Sequence, residues 1–146
     1  MTTRDKIVAD ARELLGVPWV HQGRTLHGLD CGGVVVYVAK KNGLSDFDVT
    51  AYGRRPTSDE FIRLFSAGGA IPIQLRHAKH GDIIVTAIKT FPSHCGILGR
   101  VLDRGGWRLT LIHAYAPYRK VVESPYDEFW KEKAWGAFRF PGVNEE

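Results

Sequence analysis

The spacing of apolar residues changes once along this 146-residue chain, and that change limits the fold more than any other feature. Before Gly68-Gly69 the apolar positions recur at helical spacing; after His80 they alternate. Ile7, Val8, Ala11, Leu14 and Leu15 form one helical face, so a helix is predicted over 3–15. Thr2 with Asp5 resembles a capping box, and Gly16 followed by Pro18 ends the helix. Val17 to Leu29 has no period and reads as a polar loop. Residues 31–41 can be read two ways. Val34-Val35-Val36 favours a strand, but Val34, Val35, Val38 and Ala39 make a helical stripe. Lys40-Lys41-Asn42-Gly43 is a helix stop, so a buried helix is predicted. A third helix is predicted over 57–67, capped by Thr57 and Glu60, with Phe61, Leu64 and Phe65 on one face.

Beyond the turn His80-Gly81-Asp82, strands are predicted over 83–87, 94–99, 107–113, 119–123 and 134–140. Asp103-Arg104-Gly105-Gly106 is a hairpin signal, and 125–131 can form a short helix. Helices first and an antiparallel sheet second define the α+β class. No linker or repeat divides the chain, so 1–146 is expected to be one domain.

Composition excludes several classes. No apolar run approaches the ~18 residues of a membrane helix. MTTRDKIVAD carries charges where an export signal is apolar, so the chain is expected to be cytoplasmic when made, or delivered by another assembly. Cys31 and Cys95 are expected to be free thiols. There is no CxxC and no His/Cys cluster at zinc spacing, so neither a metal nor another cofactor is expected. The net charge of +4 is spread over scattered residues. That pattern argues against nucleic acid and suits an anionic polymer such as a cell-wall glycan.

The stretch GLDCGGVVVY, residues 28–37, carries the chemistry. Cys31 can be a buried core thiol, or a nucleophile at a helix start, where unpaired N–H groups favour a thiolate and can hold an oxyanion. Asp30 fits the N-cap, and Gly32 and Gly33 leave room for a substrate carbonyl. A thiol nucleophile needs a base. His94 opens a predicted strand and His113 closes another, so His113 could fix the tautomer of His94 if the strands are neighbours. His27, His77 and His80 read as surface. Cys95 points to the other face of the strand from His94, and core packing is its expected role.

Gly16-Val17-Pro18-Trp19 with Gly28-Leu29-Asp30-Cys31-Gly32-Gly33 resembles the G-x-P-Y…G-x-D-C-S-G signature of the NlpC/P60 cysteine peptidases. Pro92 to Gly99 resembles that family's S-H-V-G-I-Y-x-G strand, Leu111 to Ala114 its I-H-A segment, and Gly81-Asp82 its G-D-L-V turn. The resemblance implies a papain-like α+β fold, with N-terminal helices packed on a mostly antiparallel sheet. It implies Cys31 as nucleophile, His94 as base and His113 as orienting residue, acting without a cofactor on peptidoglycan stem peptides between D-glutamate and a diamino acid. Residues 135–141 further resemble the phage tail-associated subgroup, which implies a virion or phage-like particle, other tail-tip proteins as partners, and action in the periplasm or at the cell wall.

Two positions depart from the family pattern. Gly32 replaces a serine, and Trp19 replaces a tyrosine, so His21 or Gln22 is expected to supply a polar group near the thiol. The departures leave two rival readings: a structural tail protein of the same fold with little activity, and amidase or acyltransferase chemistry from the same residues.

Overall fold

The computed structural model describes residues 2–48, 60–88 and 90–145. The first helix, α1, runs Arg4–Arg12. Its cap is Thr3, one residue later than expected, because the Thr3 hydroxyl accepts the Lys6 N–H while the Thr2 hydroxyl donates to the Asn42 carbonyl. The segment expected to be a plain loop contains two short paired strands, β1 (Arg24–Thr25) and β2 (Gly28–Leu29). Backbone bonds from Leu29 to Pro18 and from Val20 to Leu29 add a third strand-like stretch, too short and irregular to show a period.

The contested segment is a helix, α2 (Cys31–Lys41), ending at Asn42-Gly43 as its stop signal requires. Val34, Val35, Val38 and Ala39 are buried, so the stripe and not the valine run decided its shape. Helix α3 spans Glu60–Ala67; the expected cap at Thr57 lies outside the described residues.

The sheet has six strands, β3 (Ile71–Ile73), β4 (Ile83–Thr86), β5 (His94–Asp103), β6 (Gly106–Tyr115), β7 (Lys120–Pro125) and β8 (Ala134–Arg139). A short helix, α4 (Glu128–Lys131), precedes β8. The spatial order is β3-β8-β4-β5-β6-β7, with every neighbouring pair antiparallel. This is the expected α+β arrangement. Strand β3 was not legible because it is a three-residue edge with a central proline.

Alternation sorts the sheet residues onto two faces. Ile83, Val85, Cys95, Ile97, Ile112 and Ala114 join α1 and α2 in the main core. Ile84, Leu98, Leu111 and Ala137 form a second core under Trp130. The two faces bury different chemistry: thiols against the helices, and the histidines beside Trp130.

The N-terminal helix is fastened to the sheet by a buried ion cluster. Asp82 is wholly buried and accepts from Arg4 Nη1 at 2.8 Å, from Arg139 Nε and Nη2 at 3.0 Å each, and from the Lys79 backbone N–H at 2.8 Å. A buried carboxylate is tolerable only when its lone pairs are filled in this way. Among the described residues no helix is long and apolar enough to cross a membrane. Replacing Asp82 by alanine removes the buried acceptor of Arg4 Nη1 and of Arg139 and leaves Arg4 the carboxylate of Glu145, and urea unfolding is expected to show a loss of about 1–3 kcal/mol.

Candidate active site

Cys31 is the first residue of α2, and Asp30 caps that helix: its Oδ1 accepts the Gly33 N–H at 2.7 Å. Asp30 Oδ2 accepts the Gln22 backbone N–H at 2.9 Å, and Arg24 Nη1 donates to Oδ1 at 2.9 Å. Gln22 has a positive φ of 59°, a conformation that the bond to Asp30 secures. The loop carrying Trp19, His21 and Gln22 is thus tied to the turn that presents the thiol. His21 stacks on Trp19, which packs against the main core.

The two glycines after Cys31 have different tasks. Gly33 is buried with the Gly23 carbonyl directly against it, so a side chain there would collide with backbone. Its role is helix–loop contact, not the expected access for substrate. Gly32 is half-buried and borders an apolar cleft lined also by Val36, Phe47, Phe65 and Phe140. The N–H groups of Cys31 and Gly32 have no carbonyl one turn back to receive them.

His94 and His113 come together as expected. The register of β5 against β6 brings them onto one face, and His94 Nε2 lies 2.7 Å from His113 Nδ1. His113 Nε2 lies 3.0 Å from Ser124 Oγ on β7. Gly96 makes this possible: a Cβ there would come within 2.9 Å of His113 Cβ and 2.7 Å of Leu111 Cδ1. Trp130 meets both imidazoles, its ring 5.7 Å from His94 and 4.9 Å from His113, and Tyr115 stacks on His113 at 5.2 Å. Burial, with the nearby charge of His94, drives the pKa of His113 down to about 3, so that ring is neutral at ordinary pH.

His94 is the first residue of its strand and is among the groups that lower the Cys31 pKa. With Nε2 committed to His113, the nitrogen left for the thiol is Nδ1. Cys95 is on the opposite face from His94, as expected, and is wholly buried in the main core, against which Cys31 packs. Hydrogen bonds from Cys95 and His94, together with the His94 charge, bring the Cys31 pKa from 9.0 down to about 5, against burial and the Asp30 charge. Burial and the adjacent Cys31 push the Cys95 thiol well up.

Sequence reasoning missed Ser124 and Arg24. Ser124 is behind His113 only because of the β6–β7 register, which no local pattern encodes. Of the histidines read as surface, His27 and His77 are exposed, while His80 is half-buried with Nε2 3.3 Å from Asp5. No cluster of three or more His, Cys, Asp or Glu residues suited to a metal occurs among the described residues.

The model of the NlpC/P60 family matches residues 16–139, a span holding Asp30, Cys31, His94, His113 and Ser124. The chain belongs to the NlpC/P60 family. It is 30% identical over 137 residues to a probable peptidoglycan endopeptidase, LytE, of Bacillus subtilis, covering 92% of this chain and 34% of that protein. The chain thus spans about a third of the length of that relative. The NlpC/p60 domain of the peptidoglycan hydrolase SagA superposes with a TM-score of 0.64 at 22% identity, covering 95% of this chain and 100% of the domain. An N-acetylmuramoyl-L-alanine amidase of Bacteroides uniformis gives 0.60 at 16% identity, covering 94% and 98%. These likenesses support the papain-like α+β fold.

The sign of the Cys31 shift fixes a measurable pH dependence. A thiol lowered from 9.0 to about 5 is a thiolate above that pH and loses reactivity as the pH falls through it. Iodoacetamide labelling of Cys31, followed by peptide mapping, is expected to be nearly flat from pH 7.5 to about 6. It should then drop about tenfold for each pH unit below about 5. Sluggish labelling that rises only towards pH 9 would mark an inert structural thiol.

Proposed function

We propose that this chain is a cysteine peptidase that hydrolyses an amide bond in peptidoglycan stem peptides. The observation that carries the reading is the His94–His113 pair, Nε2 to Nδ1 2.7 Å, together with Cys31 at the start of α2, its pKa lowered to about 5 in part by His94. Family membership and the cell-wall relatives supply the substrate class.

The Cys31 thiolate attacks the amide carbonyl while His94 holds the thiol proton. The N–H groups of Cys31 and Gly32 stabilise the tetrahedral oxyanion, with a group from the Trp19–Gln22 loop completing the site. His94 Nδ1 gives its proton to the leaving amine, and the acyl-enzyme forms. The same nitrogen then takes a proton from water, and hydroxide releases the product. His113 receives the His94 Nε2–H throughout and keeps Nδ1 aimed at the sulfur.

The bond between D-glutamate and the diamino acid is the proposed scissile one, on the sequence resemblance. Likeness in fold to the Bacteroides amidase favours a second reading, cleavage at the muramoyl–L-alanine bond. Mass spectrometry of products from digested sacculi separates the two. Action from a phage or phage-like particle is proposed on the resemblance of residues 135–141, and purified particles containing the chain would support it.

Cys31→Ala is expected to abolish cleavage of purified sacculi with the folded circular-dichroism spectrum intact. His94→Ala should lose about 10²–10⁴-fold in kcat/KM. His113→Gln should lose less, because a neutral His113 positions His94 and carries no charge to the transition state. Wild-type turnover by Cys31→Ala would refute the reading.

A further inference from the structure

Two imidazoles joined nitrogen to nitrogen share one hydrogen, and its direction has to be set. His94 Nε2 and His113 Nδ1 lie 2.7 Å apart, so either ring could donate. Only one choice serves the reaction above. His94 exchanges a proton with the thiol at Nδ1, so the hydrogen it keeps must be on Nε2. His113 must then accept at Nδ1 and carry its own hydrogen on Nε2. That ring is wholly buried, and an unpaired N–H on it would be costly.

We propose that Ser124 is a fourth residue of the site, a positioning residue whose hydroxyl accepts the His113 Nε2–H and holds His113 in the tautomer that accepts from His94. In the β6–β7 pairing Val122 is opposite His113 and Ser124 opposite Leu111. Ser124 is therefore the diagonal neighbour of His113 on the same face of the sheet. Its Oγ lies 3.0 Å from His113 Nε2. The rings around His113 do not fill this role. Trp130 meets it edge to face at 89°, and an indole N–H donates only. Tyr115 stacks on it at 21° and presents a ring face, not an acceptor in the imidazole plane.

The effect of Ser124 reaches the sulfur only through two imidazoles, and the residue touches no reacting atom. Ser124 is half-buried, so its own O–H can turn to solvent while its lone pair faces the ring. Without the hydroxyl, the Nε2–H of His113 is buried with no acceptor, and the hydrogen is better placed on Nδ1. There it faces His94 Nε2, and the relief is for His94 to move its own hydrogen to Nδ1. That is the nitrogen that has to be empty when the thiol gives up its proton. The base then stands in the right place with its hydrogen on the wrong side.

This role rests on the peptidase reading and deepens it, and the test has a readout that does not need turnover. Nitrogen-15 NMR of the histidine rings in the whole chain shows which nitrogen of each ring carries hydrogen; the His113 signals are those lost in His113→Gln. The wild type is expected to show His113 protonated at Nε2 and bare at Nδ1. Ser124→Ala should move that hydrogen towards Nδ1 and lower kcat on soluble stem peptides about 3–10-fold, with KM unchanged. Ser124→Thr keeps a hydroxyl and should restore both the tautomer and kcat. A wild-type His113 that carries its hydrogen on Nδ1 overturns the proposal, whether or not any variant folds. So does a kcat in Ser124→Ala equal to that of the wild type, or a loss that threonine does not restore, which marks a packing effect. The expected tautomers in a protein that cuts no stem peptide would sink the peptidase reading alone; the opposite tautomer in an active enzyme would sink this one alone.

Discussion

Everything at this site hangs on the buried carboxylate of Asp30. It closes the first turn of α2, holds the left-handed Gln22, and is held in turn by Arg24, which reaches on to Asp48 at 2.8 Å. A cap of this kind stabilises a helix by about 1 kcal/mol, a modest figure beside its positional effect. The same charge is harmful to the chemistry, because a carboxylate next to Cys31 raises the thiol pKa. The site accommodates both demands by pairing Asp30 with a guanidinium, while Cys95 and His94 lower the thiol pKa against the carboxylate charge. The thiolate therefore depends less on the helix dipole alone than its position at α2 suggests.

Strand β5 is the other fixed element, and it works through its parity. Successive residues face opposite sides of the sheet, so His94 and Cys95 cannot both point at the same neighbour from mid-strand. His94 takes the face of His113 and Trp130, and Cys95 the helix-facing core. A shift of one residue in the β5 register would exchange their faces and lose the His94–His113 contact.

The order of helices and strands and the buried stripe of α2 could be read from local pattern, because each depends on spacing within about ten residues; the pairing of His94 with His113, 19 residues apart, followed from the hairpin signal at 103–106 that joins their strands. The rest depends on register and on chain closure. Ser124 is aligned by a pairing between strands, β3 by an edge position, and Arg24 by a loop that folds onto a helix cap. Gly33 was legible as special but not for the right reason, since a glycine that admits a substrate and one that admits the Gly23 carbonyl look identical in sequence.

The line Ser124–His113–His94–Cys31 can carry hydrogen bonds in one direction during catalysis. When His94 holds the thiol proton, both its nitrogens donate, so Nε2–H must find an acceptor at His113 Nδ1. A neutral His113 accepts there only as the Nε2–H tautomer, and that hydrogen needs an oxygen to receive it. Ser124 Oγ, 3.0 Å away, is that oxygen. Burial under Trp130 and Tyr115 keeps His113 from taking a second proton, which would turn Nδ1 into a donor and set two N–H groups against each other. The aromatic cover is therefore a condition of the mechanism: it keeps the third residue an acceptor, as a carboxylate would be, without adding a second negative charge beside the thiolate.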